Sequence, residues 1–460
     1  RQRQMCIRDS VRTAPVHGEC APHPDDPCQN GIPEQFLLAH DTKPVIHGQR
    51  RGQHQRVPVA GMIRHQQRAV TIMRPFLSEF TDEELARFTA AAYGSQFDDP
   101  AVAPVHRLDD TTAFLELWHG PTCAFKDMAL QMLPQLLSAA LRKTGEKRTA
   151  CILAATSGDT GKAALAGYAG LPGIEIEVFY PDAGTSEIQR LQMATQAGDN
   201  VSVYAVNGNF DDAQTGVKRV FGDASVAEEL EKRNICLSSA NSINWGRLVP
   251  QIVYYFYAYF RLAEQGAVEW GKPVDFCVPT GNFGDILAGY YAKQMGLPVG
   301  RLVCASNKNN VLTDFLRTGT YDARRTFYKT TSPSMDILIS SNLERLLYHV
   351  SGSSEKVTGW MQELSATGKY TVDAEMLAKI QQSFAAGYAD DADGAAEIKA
   401  RFDGDHYLCD THTAVAFRVA ETRRTDAPMV VLSTASPFKF PRDVLTALGG
   451  EAPASDFAAM

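Results

Sequence analysis

From residue 149 onward, apolar runs of strand length alternate with helical stretches, and this alternation constrains the fold more than any other feature of the chain. Apolar strands separated by helices are typical of parallel sheets that helices cover on both faces. The predicted strands span residues 149–155, 174–180, 201–206, 235–239, 274–279, 302–305 and 429–433. We therefore expect an α/β protein with two domains, each built around a central, mostly parallel sheet.

The spacing of apolar residues predicts helices between these strands. The predicted helices span residues 162–169, 186–196, 212–232, 247–263, 285–295 and 414–419. Upstream of them, Thr81 followed three residues later by Glu84 is typical of a capping box at a helix start, with Leu85 beginning the apolar face. Ligands of such folds bind beyond the carboxyl ends of the strands. The loops that follow predicted strands are therefore candidate functional sites.

Residues 1–73 do not share the pattern of the rest of the chain. The segment holds six of the eleven histidines and carries ten Lys and Arg against six Asp and Glu. Prolines and glutamines interrupt every periodic pattern, and no two of its histidines are spaced i, i+4. We expect this segment to be disordered or not native to the fold, with ordered structure beginning near Phe76.

Composition argues against several classes of function. The formal net charge of −8 is the wrong sign for a nucleic-acid-binding surface. No run of eighteen apolar residues is present, and the most apolar helix is interrupted by Gln251 and Arg261, so we expect no membrane association. The nine cysteines are scattered without a CxxC pair, which indicates core residues in a reducing cytoplasm rather than a disulfide framework or a metal site.

A loop with anion-binding character follows the predicted strand 274–279. It contains Gly281 and Gly284 and opens a helix, so its exposed amides and the positive end of the helix suit a phosphate group. The dinucleotide fingerprint GxGxxG is absent. A plain strand-to-helix turn that uses glycine is the alternative interpretation.

Two further loops combine hydroxyl, amide and basic groups at helix starts. Residues 156–162 are not a nucleoside-triphosphate loop, because Thr156 replaces the required glycine and Ala163 replaces the hydroxyl that would hold magnesium. What remains suits a small carboxylate or phosphate. Residues 241–247 add the fork-shaped guanidinium of Arg247, which matches phosphate oxygens, although a simple N-cap with Arg247 in solvent is the alternative.

A single lysine, Lys126, lies between an uncharged run and the start of an apolar helix. Burial beside Cys123 and Phe125 would disfavour its ammonium form and lower its pKa, leaving an amine able to attack a carbonyl group. Most lysines at helix starts are exposed or structural, so this segment alone does not identify a Schiff-base lysine.

Together these segments resemble the signatures of the pyridoxal-phosphate enzymes of fold type II, and within them those of the threonine synthase family. The matching segments are HGPTCAFKD at 119–127, ATSGDTG at 155–161, NSINWGR at 241–247, PTGNFGD at 279–285 and LSTASPFKF at 432–440. The resemblance extends from about Phe76 to the C-terminus. The short β-rich segment with which the family usually begins has no counterpart in residues 1–73.

The resemblance implies a role for each matching residue. Lys126 would carry pyridoxal 5'-phosphate as a Schiff base and act as the general base, and Thr434 would face the pyridine nitrogen. The phosphate loop of the cofactor site would comprise Gly281, Asn282, Phe283, Gly284 and Asp285. The substrate carboxylate would lie near Ser157, Asp159 and Thr160, and the substrate phosphate near Asn241, Ser242 and Arg247. Lys162 and Lys218 are both conceivable as a second cation for that phosphate.

The resemblance also implies a domain organisation, with the cofactor in the cleft between two domains. Residues 74–148 would supply the N-terminal helical part and the cofactor-lysine segment of the large domain. Residues 149–247 would form the smaller α/β domain, and residues 248–460 the rest of the large one, including the phosphate loop.

The implied reaction converts O-phospho-L-homoserine and water into L-threonine and phosphate, by γ-elimination and β-addition of water. One alternative is another fold type II lyase, such as a dehydratase or phospho-lyase that releases 2-oxobutyrate. A second is a non-catalytic α/β protein that binds an anionic metabolite. The expected partner is a small-molecule substrate, with no nucleic acid and no membrane, and the expected assembly is a monomer or small homo-oligomer.

Several conspicuous residues receive a structural interpretation. Four tyrosines on the helix after Arg247 are interpreted as packing or interface residues: Tyr254, Tyr255, Tyr257 and Tyr259. His412 is interpreted as a cap or domain contact, whereas for His119 a cofactor contact and a structural hydrogen bond remain alternatives. The acidic run at 390–393 is interpreted as a solvated loop.

Overall fold

The computed structural model describes residues 65–182, 185–208, 210–451 and 453–460. Residues 1–64, for which the sequence predicts disorder or a non-native segment, lie outside the described residues. Twelve strands are present in the described part of the chain: β1 Val105–Arg107, β2 Thr112–Glu116, β3 Thr149–Ala155, β4 Ile174–Pro181, β5 Val201–Val206, β6 Ile235–Ser239, β7 Val274–Pro279, β8 Val299–Ser306, β9 Thr320–Asp322, β10 Lys369–Thr371, β11 Phe384–Tyr388 and β12 Met429–Ser433.

Helices occupy the connections between the strands. In chain order they are α1 His65–Met73, α2 Asp82–Ala92, α3 Lys126–Leu130, α4 Leu133–Thr144, α5 Asp159–Tyr168, α6 Glu187–Ala194, α7 Phe210–Gly222, α8 Ala224–Lys232, α9 Trp245–Glu264, α10 Gly284–Gln294, α11 Val311–Thr318, α12 Leu343–Ser351, α13 Ser354–Thr367, α14 Ala374–Gln381, α15 Asp391–Asp405, α16 Thr411–Thr422, α17 Pro441–Ala447 and α18 Asp456–Ala459. Short 3-10 turns cover Arg74–Phe76, Pro333–Met335 and Pro437–Lys439. Among the described residues, no helix has both the length and the apolar character needed to cross a bilayer.

The larger sheet has six strands in the order β1-β2-β12-β7-β8-β11. Its strands pair in parallel except β1, which is antiparallel to β2. In this register Val431 of the central strand β12 lies opposite Phe114 on one side and Cys277 on the other. The 20-residue helix α9 is buried along most of its length and belongs to the main apolar core, where Tyr255 packs against Phe276 of this sheet.

The smaller sheet is entirely parallel and has the order β5-β4-β3-β6. Because β3 pairs with both β4 and β6, its carboxyl end lies in the middle of the sheet, at a point where the strand order reverses direction. Such a point is where open α/β sheets bind ligands. The loop after β3 begins at Thr156, which places the predicted anion-binding turn at this position.

The strand predictions agree closely with the structure. Five strands have the predicted bounds, β4 is one residue longer, and β8 extends to Val299–Ser306. The capping box at Thr81 is also confirmed, because its hydroxyl accepts from the Glu84 amide at 3.2 Å and the Glu84 carboxylate accepts from the Thr81 amide at 2.9 Å.

Two helix predictions are wrong. The single helix predicted over 212–232 is two helices, because the carboxylate of Asp223 accepts from the amides of Ser225 and Val226 and starts α8 anew. The acidic run at 390–393 is not a solvated loop, since Asp390 and Asp393 form the capping box that begins α15. In both places a short acidic side chain satisfies helix amides that would otherwise lack partners.

The prediction that residues 1–73 lie outside the fold is wrong for its last nine residues. These residues form α1, which packs against α9. His65 contacts the rings of Tyr93 and Tyr257, and the buried guanidinium of Arg68 pairs with Glu264 at 2.7 Å. Polar residues occupy the first two of its five buried positions, His65 and Arg68, so the apolar stripe is too short to be recognised in the sequence.

Candidate active site

All thirteen residues predicted to contact cofactor or substrate line one cavity. The cavity lies where the loops after β3 and β6 of the smaller sheet face the loops after β7 and β12 of the larger sheet. Segments far apart in sequence therefore meet because parallel strands present their carboxyl ends at the same edge of a sheet.

Lys126 begins α3 and is 9% exposed. Its Nζ donates to Asp159 Oδ2 at 3.2 Å and to Ser334 Oγ at 3.3 Å, and it lies 4.6 Å from the centre of the Phe125 ring. Burial lowers the pKa of this amine, and the neighbouring Asp159 carboxylate opposes that effect without cancelling it. Lys126 thus has the properties of a nucleophilic or basic amine rather than those of a solvated ammonium group.

The turn before Lys126 is held by Asp127. Its carboxylate accepts from the amide and the hydroxyl of Thr122 at 2.8 and 2.7 Å, and it is fully buried. A side chain at position 120 would overlap this carboxylate, since a Cβ on Gly120 would lie 2.5 Å from the Asp127 Cβ. Glycine at position 120 is therefore a geometric requirement of the turn, and Thr122 fixes it to Asp127.

Both carboxylate oxygens of Asp159 accept hydrogen bonds. Its Oδ1 lies 2.7 Å from Lys439 Nζ and accepts from Gln189 Nε2 at 2.8 Å, whereas Oδ2 accepts from Lys126 and Ser334. Burial alone would raise its pKa, but Lys439 and Lys126 outweigh burial and hold the pKa well below its usual range. Asp159 is therefore an ionised, fully buried carboxylate.

The turn after β3 is built around Thr156. Its buried hydroxyl accepts from the amides of Gly158 and Gly161, both at 2.9 Å. Gly158 has a φ of +144°, and a Cβ there would lie 2.4 Å from the Gln189 side chain. This compact turn leaves Ser157 and Thr160 half-buried at the cavity wall.

In the loop after β7, the backbone approaches a neighbouring segment closely. A Cβ on Gly281 would lie 2.9 Å from the carbonyl oxygen of Ser334, so only glycine fits there. Phe283 adopts a φ of +63° with its ring buried, and Asn282 Oδ1 accepts from Ser341 at 3.0 Å. Gly284 then begins α10, and both Gly284 and Asp285 line the cavity, so the start of this helix lies at the cavity wall.

Asp285, in the first turn of α10, faces two tyrosines of α9. Its Oδ1 accepts from the hydroxyls of Tyr254 and Tyr255 at 2.6 and 2.9 Å. Its buried Oδ2 has no hydrogen-bond partner among the described residues. Burial raises the pKa of this carboxyl group to about 6. The prediction that these tyrosines are packing residues is confirmed by their burial, but the two also support a residue of the cavity wall.

The loop after β6 is largely fixed by its own side chains. Asn241 Nδ2 donates to the carbonyl of Ala155 at 2.8 Å, which ties this loop to the end of β3. Asn244 caps α9 by accepting from the Gly246 amide at 2.9 Å. Ser242 shares a 2.8 Å hydrogen bond with Ser341 across the cavity wall.

Arg247 is buried rather than solvent-exposed. The alternative interpretation is therefore correct for the N-cap, which Asn244 provides, and wrong for Arg247. Its Nη1 donates to the carbonyl of Ala240 at 3.1 Å, and its Nε has no partner among the described residues. Burial lowers the pKa of this guanidinium to about 10. A buried cation whose donors are only partly satisfied is suited to binding an anion that enters the cavity.

Three functional candidates were not identified from the sequence: Ser334, His412 and Lys439. His412 lines the cavity, and its Nε2 accepts from the Ser334 amide at 3.1 Å, so its Nδ1 donates to Asp410 Oδ2 at 2.6 Å. The interpretation of His412 as a cap or domain contact did not place it in the cavity wall. Lys439 lies within the matching segment at 432–440, which is a sequence signal that could have identified it. No periodic or spacing signal marks Ser334 or His412, because their positions depend on contacts between distant segments.

The remaining alternatives are resolved by position. His119 lies between Asp98 and Glu116, with its two ring nitrogens 2.5 and 2.9 Å from their carboxylates, so it makes structural hydrogen bonds and does not line the cavity. Lys162 donates to Gln196 Oε1, and Lys218 is exposed on α7. Neither lysine lines the cavity.

Comparisons with known proteins agree with this arrangement. Residues 102–428 match the family described as "Pyridoxal-phosphate dependent enzyme", and residues 413–459 match "Threonine synthase, C-terminal". A threonine synthase from Pseudomonas aeruginosa is 42% identical over 390 residues, which cover 84% of this chain and 80% of that protein. Human "Threonine synthase-like 1" is 40% identical, and this chain spans about half of its length (50%).

Solved structures give the same result. The crystal structure of a pyridoxal-phosphate-bound threonine synthase from Brucella melitensis has a TM-score of 0.78 and 41% identity, covering 85% of this chain and 82% of that one. A yeast threonine synthase has a TM-score of 0.77 and 37% identity, covering 86% and 82%. The predicted fold class is thereby confirmed, and the chain belongs to the pyridoxal-phosphate dependent enzymes and, within them, to the threonine synthase family.

Proposed function

We propose that the protein is a threonine synthase, a pyridoxal-phosphate-dependent carbon–oxygen lyase that converts O-phospho-L-homoserine and water into L-threonine and phosphate. The observation that carries this proposal is the meeting of three groups in one cavity. These are the buried amine of Lys126, the glycine-containing loop at 281–285 and the buried guanidinium of Arg247. A dehydratase acting on an unphosphorylated amino acid would not need the third group.

The residues of the cavity fit the cofactor. Lys126 offers an amine of lowered pKa, as covalent attachment of an aldehyde requires. The loop at 281–285 leads into the amides of α10, which suit a phosphate group. Thr434 lines the same cavity and offers a neutral hydroxyl to the ring nitrogen. When bound, the cofactor would supply an electron sink for charge developing on the substrate, and a hydroxyl partner makes that sink milder than a carboxylate would.

Lys126 Nζ is the proposed site of proton transfer. We assign it the removal of protons from the α and then the β carbon of the substrate, because it is buried, basic and held by only two side chains. Ser334 Oγ lies 3.3 Å from this nitrogen and 3.2 Å from Asp159 Oδ2, so it orients the amine without carrying a charge.

The substrate carboxylate is assigned to Ser157 and Thr160. Both line the cavity at the start of α5, where helix amides favour an anion. Asp159 was expected to share this role. Both of its oxygens are already bonded within the protein, and an ionised carboxylate would repel that of the substrate. We therefore give Asp159 a role in controlling Lys126 instead.

The substrate phosphate is assigned to Arg247 and Ser242, with Asn241 shaping the loop that carries them. Among the described residues that line the cavity, the lysine and arginine side chains are Lys126 and Arg247. Arg247 is therefore the cation that remains for the substrate phosphate once Lys126 is assigned to the chemistry.

Product analysis tests the proposal. The protein loaded with pyridoxal phosphate and supplied with O-phospho-L-homoserine should release phosphate and L-threonine in equal amounts. Phosphate with 2-oxobutyrate would assign it to the phospho-lyases instead, and no phosphate would favour a non-catalytic anion-binding protein.

The proposal includes a cytoplasmic location, supported by six free cysteines among the described residues. It also includes a monomer or small homo-oligomer, which light scattering can check.

A further inference from the structure

Two lysines flank one buried carboxylate in the wall of the active-site cavity. Lys126 Nζ is 3.2 Å from Asp159 Oδ2, and Lys439 Nζ is 2.7 Å from Asp159 Oδ1. Lys439 is 2% exposed and does not line the cavity, whereas Lys126 does. Both lysines pair with Asp159, but only Lys126 is placed to contact a molecule bound in the cavity.

We propose that Lys439 is a positioning residue that acts through Asp159, supplying the carboxylate with a permanent counter-ion so that the Lys126 amine can give up and regain its proton. The inference rests on the proposed role of Lys126, but it does not depend on which substrate the enzyme takes.

The argument begins with charge balance. An ionised carboxylate buried this deeply needs a cationic partner or must take up a proton. If Lys126 were the partner of Asp159, the carboxylate would hold that lysine in its ammonium form and oppose its use as a base. With Lys439 in place, Asp159 keeps a counter-ion after Lys126 becomes neutral. The negative charge of the buried carboxylate therefore stays balanced in that step.

Lys439 is held in place by the backbone around the catalytic lysine. Its Nζ donates to the carbonyl of Thr122 at 2.8 Å, and the amide of Ser436 donates to the carbonyl of Cys123 at 3.1 Å. The 3-10 turn Pro437–Lys439 is thereby attached to the segment that carries Lys126. The ammonium group cannot turn toward a ligand in the cavity without giving up these bonds.

Electrostatics agree with the geometry. The charge of Lys439 lowers the pKa of Lys126 beyond the effect of burial, and it lowers that of Asp159 more than any other charged neighbour does. Gln189 and Ser334 complete the bonds to Asp159 with neutral donors. Among the described residues, the charged groups that bond this carboxylate are thus the two lysines, and removal of one must change the ionisation of the other.

The test is the pH dependence of the reactivity of Lys126. In the full-length chain freed of cofactor, competitive labelling with acetic anhydride followed by peptide mass spectrometry gives the midpoint at which Lys126 becomes a free amine. Lys439→Gln removes the charge but keeps amide donors for Asp159 and Thr122. We expect it to move the midpoint to higher pH by about one unit. Lys439→Arg, which keeps the charge, should stay close to the parent.

A matched control is Lys293→Gln, since Lys293 is half-buried on another part of the fold and, like Lys439, donates to a backbone carbonyl, that of Gly300. It should leave the Lys126 midpoint unchanged. An unchanged midpoint in Lys439→Gln with intact near-ultraviolet circular dichroism would overturn the proposal.

Should Lys439→Gln fail to fold, a pair of variants gives the same comparison. Asp159→Asn should lower the Lys126 midpoint, because it removes the charge that raises the pKa of this amine. Adding Lys439→Gln to it should bring the midpoint back to within about half a unit of the parent. Equal midpoints in these two variants would also overturn the proposal. Because labelling needs no substrate, failure to form threonine would count against the proposed function and leave this inference standing.

Discussion

The backbone amide of Phe125 donates a 2.8 Å hydrogen bond to the carbonyl oxygen of Thr434. Beside it, Ala124 and Ala435 form an isolated antiparallel bridge. These contacts join the segment before Lys126 to the loop after β12. Strand β12 itself pairs with β2 in the larger sheet. The distance between Lys126 and Thr434, the two proposed ends of the cofactor site, is thus set by the sheet rather than by a flexible loop.

Lys126 should be the site of covalent cofactor attachment. Borohydride reduction of the loaded protein, followed by peptide mass mapping, should place a pyridoxyl group on the peptide that contains Lys126. Lys126→Ala should lose both the adduct and the visible absorption of the bound cofactor. Lys162→Ala, which alters a half-buried lysine outside the cavity, should retain both. An adduct on any other lysine would refute the assignment.

Replacement of Arg247 should weaken binding of the phosphorylated substrate. A charge-assisted contact is worth about 1.5–3 kcal/mol, so Arg247→Ala should raise KM by roughly ten- to hundredfold. The inhibition constant of inorganic phosphate should rise in parallel. Arg261→Ala, at the other end of the same helix, removes an arginine paired with Glu264 and should leave KM unchanged. Equal KM values for parent and Arg247→Ala would exclude the proposed phosphate site.

His412 should contribute to both stability and turnover. His412→Leu leaves the Ser334 amide without its acceptor. It also removes one donor to Asp410, whose carboxylate still accepts from the amides of residues 412 and 413 and from the Thr413 hydroxyl. A buried amide left unsatisfied costs about 1–3 kcal/mol, which urea unfolding will measure. Because Ser334 also bonds Lys126, we expect kcat to fall as well. A loss of stability with an unchanged kcat would show that His412 has only a structural role.

The carboxyl group of Asp285 should make stability depend on pH. Burial raises its pKa from 3.8 to about 6, so the folded chain retains a proton that the unfolded chain loses between those values. The cost to stability is absent below pH 3.8, grows as pH rises and is complete above about pH 6. Two pKa units correspond to about 3 kcal/mol.

Asp285→Asn should therefore stabilise the cofactor-free chain at pH 8 and have little effect at pH 4. Denaturant titrations at the two pH values measure the difference. Asparagine can still accept hydrogen bonds from Tyr254 and Tyr255, so the substitution removes the titratable charge and keeps these bonds. Equal effects of the substitution at both pH values would show that this group does not titrate as its burial implies.

The capping box at Thr81 gives a prediction independent of the active site. Thr81→Ala removes the acceptor for the Glu84 amide and should lower the free energy of unfolding by about 1 kcal/mol. Thr81→Ser, which retains an acceptor, should restore most of it. Neither substitution should change kcat, since α2 does not line the cavity.

Local patterns were enough to predict much of this fold. Apolar runs identified β3, β5, β6, β7 and β12 to the residue. β3, β7 and β12 are buried on both faces and their sequences are almost wholly apolar, whereas β5 and β6 are only partly buried. The glycines of the loops after β3 and β7 were also informative, because neighbouring atoms approach the backbone there too closely for any other residue. Short antiparallel strands such as β9 and β10 escaped prediction, since three residues carry no detectable period.

The sequence by itself thus determined the α/β class, the order of the strands along the chain and the loops where chemistry would take place. Only the tertiary structure decided that α1 belongs to the fold, that Tyr254 and Tyr255 support Asp285, and that Lys439 pairs with Asp159. The physical reason is the range of the interactions. Periodicity and turn geometry act within a few residues, whereas the ionisation of Lys126 depends on a charge that the chain supplies more than three hundred residues later.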